Sequence, residues 1–369
     1  MKQIILFILF IIFFNIVKSN QCNCILNEYC KPLGVGERTE FIGFSDNSTG
    51  NYLNYDYYSI TTIGVYYDAN ISIPKEFVCI SHANGVRLVW WAKIPNQQLS
   101  NETFRNQFID KIIESIQKEN MDGVIYELDD PNSLTSENSD FFTEIIEKTF
   151  KILKPINWNY QISSKLPFSP NIDLNYNYLG ISYFVDYLVV MDYNIGSRVT
   201  RDGNCLAGSN SPNPMIEQGI KNFTSMGIPG ERMVLTYPWF GLDFICVNGS
   251  LSSEDCFVEK DEDDNCNDIK TIANQISYGE IIKILNDNNI TNGGINWNSN
   301  SKSVFFNYYD YQGILHQIHF DNPKSLFIKV FLTKRLRAKG IAAQTMDNLD
   351  FTDLVNSYNM YDTMAYFFM

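Results

Sequence analysis

The chain is short of positive charge: 28 Lys and Arg stand against 42 Asp and Glu, a formal net charge of −14 at neutral pH. A surface that acidic repels phosphate backbones and anionic headgroups, so the charge balance excludes nucleic acid and anionic membrane as electrostatic partners. A second long apolar run is also lacking. Beyond the first twenty residues no stretch is apolar and uncharged over the roughly 18 residues that a membrane span needs, which predicts a soluble body. Histidine is scarce, with only His82, His316 and His319 present. The last two are three apart in a segment that reads as extended, where such residues face opposite sides, and this argues against a shared metal ion. No tryptophan follows Trp297.

At the amino terminus, Lys2 precedes an almost uncharged run from Ile4 to Val17 that ends in Ser19 and Asn20. The pattern predicts a cleaved signal peptide over residues 1–20, with 21–369 as a single mature domain. A retained anchor is the alternative, but the run is shorter than a bilayer requires. The remaining cysteines suit an oxidising lumen: Cys22, Cys24, Cys30, Cys79, Cys205, Cys246, Cys256 and Cys266 form an even set, whose pairing the sequence leaves open. Asn-x-Ser/Thr sequons at Asn47, Asn70, Asn101, Asn222, Asn248 and Asn289 agree with that compartment and predict surface loops or helix starts.

Short apolar or β-branched runs recur at Phe41–Phe44, Ile60–Tyr66, Val86–Trp91, Gly123–Asp129, Tyr160–Leu166, Tyr187–Tyr193, Met233–Trp239 and Gly340–Ala343. Between them lie amphipathic stretches, clearest over Phe104–Lys118 and Phe141–Leu153, with apolar residues at helical spacing. Alternating strand and helix predicts an α/β fold with a parallel sheet, and eight such units predict a closed (β/α)8 barrel. Two regions interrupt the alternation. Cys246–Asp268, with the acidic run Asp261 to Asp264, reads as a disulfide-pinned loop rather than a calcium loop, because it lacks the central glycine. Asn307–Asn322 reads as paired strands inserted before a helix over Ser325–Arg337.

Reactive groups of such a barrel stand at the carboxyl ends of its strands. The run Met121 to Asp130 starts with a turn, continues as a strand and ends in acids. Alternation puts Ile125, Glu127 and Asp129 on one face, so two carboxyls about 7 Å apart at the Cα level point into the barrel mouth. If both were charged they would repel, and the one that keeps its proton to higher pH is a candidate general acid. Two merely solvated acids at a loop edge are the alternative.

These residues resemble the signature of family 18 glycoside hydrolases, Asp-Gly-x-Asp-x-Asp-x-Glu, in the branch of the lysosomal di-N-acetylchitobiases. The likeness continues through the Cys-x-Cys start with Cys30, Ile60-Thr61-Thr62, Cys79-x-x-His82, Met191-Asp192-Tyr193, Pro238-Trp239-Phe240-Gly241 and Phe320-Asp321-Asn322-Pro323. It implies hydrolysis of β-1,4-linked N-acetylglucosamine in the chitobiose cores of N-linked oligosaccharides, by substrate-assisted retaining catalysis, in lysosomal glycoprotein degradation. The substrate's own N-acetyl oxygen then attacks the anomeric carbon, and no metal or cofactor is implied. Asp129 takes the place of the proton donor, Glu127 that of the acid that orients the N-acetyl group, and Tyr193 that of its hydrogen-bond donor. Asp192 is implied as a further carboxyl of the site. Trp239 is expected to stack on sugar, with Trp90 and Trp91 as further candidates. Four positions depart from the pattern: Ile125 and Glu127 stand where Asp is expected, Asp129 where Glu is expected, and Gln344 where the last strand carries a tryptophan floor. Those departures support a second reading, a catalytically weakened or inactive chitooligosaccharide-binding relative. The destination implied is the lysosome, with secretion as the alternative.

Overall fold

Eight parallel strands close on themselves because the sequence repeatedly offers a strand that is apolar on both faces, and only a barrel ringed by helices buries both. The computed structural model describes residues 24–46, 50–70, 72–130, 134–170, 175–196, 198–199, 203–259, 266 and 272–369. The expected signal peptide, Cys22, the sequon at Asn47 and the acidic run Asp261 to Asp264 lie outside them.

The chain begins with β1 (Glu40–Ser45), β2 (Thr62–Tyr66), β3 (Arg87–Ile94), β4 (Gly123–Leu128), β5 (Gln161–Pro167) and β6 (Tyr187–Met191). Two short strands, β7 (Arg198–Val199) and β8 (Cys205–Leu206), precede β9 (Met233–Pro238). There follow β10 (Phe240–Ile245), β11 (Phe257–Val258), β12 (Asn274–Ser277), β13 (Asn296–Asn298), β14 (Ser303–Tyr309) and β15 (Leu315–Phe320), and finally β16 (Gly340–Gln344). The closed barrel runs β1-β16-β9-β6-β5-β4-β3-β2. Its members are the eight runs that the alternation of strand and helix predicts.

Helices α1 (Lys75–Ala83), α2 (Glu102–Glu119), α3 (Ser136–Ile156), α4 (Tyr178–Phe184) and α5 (Asn213–Ser225) connect the earlier strands. Later come α6 (Tyr278–Asn286), α7 (Pro323–Arg335) and α8 (Leu354–Ala365). Local chemistry sets their ends. The Asn101 side chain accepts from the Phe104 amide at the start of α2, and Asn120 ends that helix in the left-handed region at φ 56°. Ile109, Ile112, Ile113 and Ile116 of α2 are buried, as their spacing predicts. No helix among the described residues is long and apolar enough to cross a membrane.

The expected insertion is larger than a strand pair. β12, β10, β15, β14 and β13 form one antiparallel sheet beside the barrel mouth side of β9, and β11, β8 and β7 form a smaller one. Cys205–Cys266 and Cys246–Cys256 tie these together, while Cys24–Cys79 anchors the amino-terminal segment to α1. His316 faces Asp243, its Nδ1 lying 3.0 Å from Oδ1, whereas His319 stacks on Phe305 on the other face of the sheet. Asn70, Asn101, Asn248 and Asn289 are exposed. Asn222 corrects the surface expectation: it lies within α5, half-buried, and its amide donates to Ser169 Oγ at 2.9 Å.

Inside the barrel, side chains of one parity form layers. The amino-terminal end is closed by a fully buried ion pair, Arg87 Nη2 to Glu40 Oε2 at 2.6 Å, with Thr62 and Tyr187 also donating to Glu40. Above it lies an apolar band of Ile42, Val89, Ile125, Val189, Val234 and Ala342. A second tie at the same end holds the signature strand: Asp122 accepts from Leu33 N, Leu88 N and His82 Nε2 at 2.7, 2.6 and 2.9 Å. Burial pulls the His82 pKa down, but the hydrogen bond and charge of Asp122 outweigh it and hold the pKa above its ordinary 6.5. A pKa raised on folding adds stability that is complete below the unfolded value and is lost as pH rises through the folded one. Denaturant midpoints of the parent and a His82→Gln variant should therefore differ more at pH 5 than at pH 9; an equal gap at both would reject this account.

Candidate active site

β4 leaves the apolar band at Ile125 and reaches the mouth at Glu127. That carboxylate is buried, 6% exposed, and engaged on one oxygen: Oε2 accepts from Trp91 Nε1 at 2.6 Å and lies 2.9 Å from Lys165 Nζ. Lys165 comes from β5, where Gln161, Ser163 and Lys165 share the inward parity while Ile162 and Leu166 pack outward into the helix layer. Its ammonium also donates to Gln344 Oε1 of β16 at 2.8 Å. Three rings enclose it, with centroids 4.4 Å away for Phe44, 4.5 Å for Trp91 and 5.5 Å for Tyr193. Burial pulls the Lys165 pKa down to about 8 against the opposing charge of Glu127. Tyr193 is raised well above its usual value, chiefly by burial and then by the negative charge of Glu127.

Asp129 stands elsewhere. It lies one residue past the end of β4, is exposed, and its Oδ1 accepts from the backbone N–H groups of Asn96 and Asp130 at 3.0 and 2.8 Å. The two acids of the motif thus lie in different surroundings: one buried against an ammonium, the other open to solvent on the loop. The structure brings Glu127, Tyr193 and Gln344 together around the barrel axis.

Two expected site residues are corrected. Trp239 is fully buried, edge-on to Tyr361 at 4.9 Å and to Phe41 at 6.5 Å, in the layer between strands and helices. It shares the outward parity of Leu235 and Tyr237, so its ring has no face free for a sugar. Asp192 has the outward parity of Leu188 and Val190 and is also fully buried. Burial holds it well above the usual carboxylate range, opposed by Thr236 and by the charge of Lys329 on α7, so it lies behind the barrel wall rather than in the mouth. Of the other tryptophans, Trp90 points outward against Tyr67, and only Trp91 enters the mouth. Lys165 was missed by the motif reading. The signal was present all the same: a lysine at an inward position near the carboxyl end of a barrel strand cannot be solvated like a surface lysine.

The model of glycosyl hydrolases family 18 matches residues 96–348. The chain belongs to glycosyl hydrolases family 18. It is 38% identical over 343 residues to a protein of Dictyostelium discoideum named probable di-N-acetylchitobiase 1, covering 90% of each chain. It is 28% identical to the di-N-acetylchitobiase of Rattus norvegicus, covering 91% of this chain and 89% of that one. Among solved structures, a class V chitinase mutant from Cycas revoluta in complex with (GlcNAc)3 superposes with a TM-score of 0.69 at 15% identity, covering 88% of this chain and 99% of that one. This last likeness establishes the shared fold. Within the family 18 barrel, the mouth of this chain is organised by a lysine–carboxylate pair.

Removing one partner of a buried pair strands the other charge. Glu127→Gln should therefore lower unfolding free energy by about 3 kcal/mol, and Glu127→Gln combined with Lys165→Met should recover at least about half of that, measured by denaturant titration. A double variant no more stable than the single one would mean that the pair is not what strains the single variant.

Proposed function

We propose that the chain is a glycosidase that releases N-acetylglucosamine from β-1,4-linked chitobiose-type substrates by substrate-assisted, retaining hydrolysis. The observation that carries this reading is the grouping of Glu127, Tyr193, Trp91 and Gln344 at the carboxyl ends of the barrel strands, with Asp129 on the loop just beyond. Asp129 acts as the general acid at the glycosidic oxygen. Its exposure leaves it accessible to substrate, and the two backbone donors on Oδ1 orient it. Glu127 orients the acetamido group, whose carbonyl oxygen attacks the anomeric carbon while the leaving oxygen takes the proton from Asp129; Tyr193 donates to the acetamido group as charge develops. A lysosomal site of action follows from the same likeness, with secretion as the alternative.

A specific observation favours a second reading, a binding protein for N-acetylglucosamine oligosaccharides with little or no turnover. Glu127 is already committed to Lys165, and aspartate at the donor position is shorter than glutamate by one carbon–carbon bond, roughly 1.5 Å.

The deciding measurement is release of N-acetylglucosamine from di-N-acetylchitobiose at mildly acidic pH, comparing the parent with Asp129→Asn, Asp129→Glu and Glu127→Gln. If Asp129 is the acid, Asp129→Asn lowers kcat by at least about a hundredfold. Asp129→Glu restores the reach of the carboxyl and raises turnover by about tenfold or more. Loss only with Glu127→Gln would place the donor two residues upstream. A parent that binds the sugar and never turns it over leaves the binding reading in its place.

A further inference from the structure

Two of the departures from the family pattern at the mouth, Glu127 and Gln344, meet at a single atom, Lys165 Nζ. Ile125 removes from β4 the carboxyl expected beside position 127 and instead fills the apolar band. Gln344 replaces an aromatic floor with an amide. Lys165 Nζ lies 2.9 Å from Glu127 Oε2 and 2.8 Å from Gln344 Oε1, bridging β4 to β16 across the barrel from β5. None of the side-chain polar atoms of Glu127, Lys165 or Gln344 is among the buried polar atoms left without a partner. A site losing its chemistry piecemeal would leave such atoms unsatisfied, at a cost of about 1–3 kcal/mol each. Here Glu127 and Gln344 are both held by the same ammonium.

Resting on the sugar-site reading of the mouth, we propose that Lys165 is a positioning residue of that site: its ammonium holds Glu127 and Gln344 in the one arrangement that receives the acetamido-bearing sugar. The groups packed on it come from every side. Glu127 of β4 and Lys93 of β3 are its charged neighbours, Tyr193 after β6 is its titratable one, and Phe44, Trp91 and Gln344 are neutral. Burial depresses its pKa first, Glu127 opposes that shift, and Lys93 adds to it, leaving a value of about 8. When the amine loses its proton, the charge that pins Glu127 disappears and the arrangement loosens. Sugar affinity should then fall through this pH range, while the backbone fold stays intact.

The test is calorimetric titration with triacetylchitotriose at pH 6 and pH 9 for the parent, Lys165→Arg and Lys165→Met, with circular dichroism to establish folding. In parallel, carbon NMR follows lysine side chains labelled at Cε without ligand. The parent should bind about tenfold more weakly at pH 9 than at pH 6. Lys165→Arg, charged throughout, should lose that pH dependence. Lys165→Met should bind about tenfold more weakly already at pH 6 and show no further loss. A folded Lys165→Met with the parent's affinity, or a Lys165→Arg that keeps the parent's pH dependence, overturns the proposal. If the parent binds no oligosaccharide at all, it is the sugar-site reading that fails. The NMR arm then judges Lys165 by itself: one lysine signal should titrate near pH 8, vanish in Lys165→Met and titrate at lower pH in Glu127→Gln. Without that dependence on Glu127, Lys165 positions nothing.

Discussion

An ammonium and a carboxylate buried face to face inside the barrel, Lys165 and Glu127, constrain everything around the mouth. Taking two ions out of water costs several kcal/mol apiece, which their mutual attraction repays only with close geometry and further hydrogen bonds. The Trp91 indole and the Gln344 amide supply those bonds, and three aromatic rings enclose the cation. Phe44, Trp91, Lys165 and Gln344 therefore cannot vary independently. At the opposite end, Arg87 and Glu40 solve the same problem with hydroxyl donors from Thr62 and Tyr187. Between the two pairs, an apolar band separates the ends of the barrel. One end is structural and closed; the other meets solvent through the residues that follow the strands.

This arrangement divides the signature run into parts with different duties. Asp122 never approaches the mouth; it ties the amino-terminal segment, β3 and His82 together at the base. Gly123 follows it at φ 148°, where an added Cβ would meet the Gln161 carbonyl oxygen, so the close approach of β4 to β5 requires glycine. Ile125 belongs to the apolar band, Glu127 to the ion pair and Asp129 to the solvent edge. The chemistry proposed for the last two rests on that difference. A buried, paired carboxylate suits holding a substrate group in place, and an exposed one suits delivering a proton and recovering it from water.

The insertion sheet acts on the site indirectly. Phe240 of β10 packs edge-on to Tyr193 at 5.8 Å, so the sheet held by the Cys246–Cys256 and Cys205–Cys266 bridges supports the tyrosine that faces the mouth. The wall beside Tyr193 is accordingly built by chain that is remote in sequence, and it depends on the oxidised cysteines.

Much of the molecule was legible from residue order. The short apolar runs and the spacing of the isoleucines in α2 identify strands and helices because burial leaves its mark on local sequence. Eight such units in alternation imply the barrel, and the acidic run after Gly123 marks the end where chemistry belongs. Parity within a strand correctly put Glu127 inside. It also carried the answer for Trp239, which shares the outward parity of Leu235 and Tyr237, yet its motif context spoke for the site. What the linear sequence left open was which residues meet across the barrel: Lys165 and Gln344 are 179 positions apart and Lys165 and Glu127 lie on neighbouring strands, so their contact exists only once the barrel closes with its particular stagger. The sequence by itself determined the barrel strands, their closure into a barrel and the strand that bears the acids, since these follow from local periodicity. Tertiary structure alone decided that the mouth is centred on a buried lysine, because the environment of a charge is made by chain that is distant in sequence.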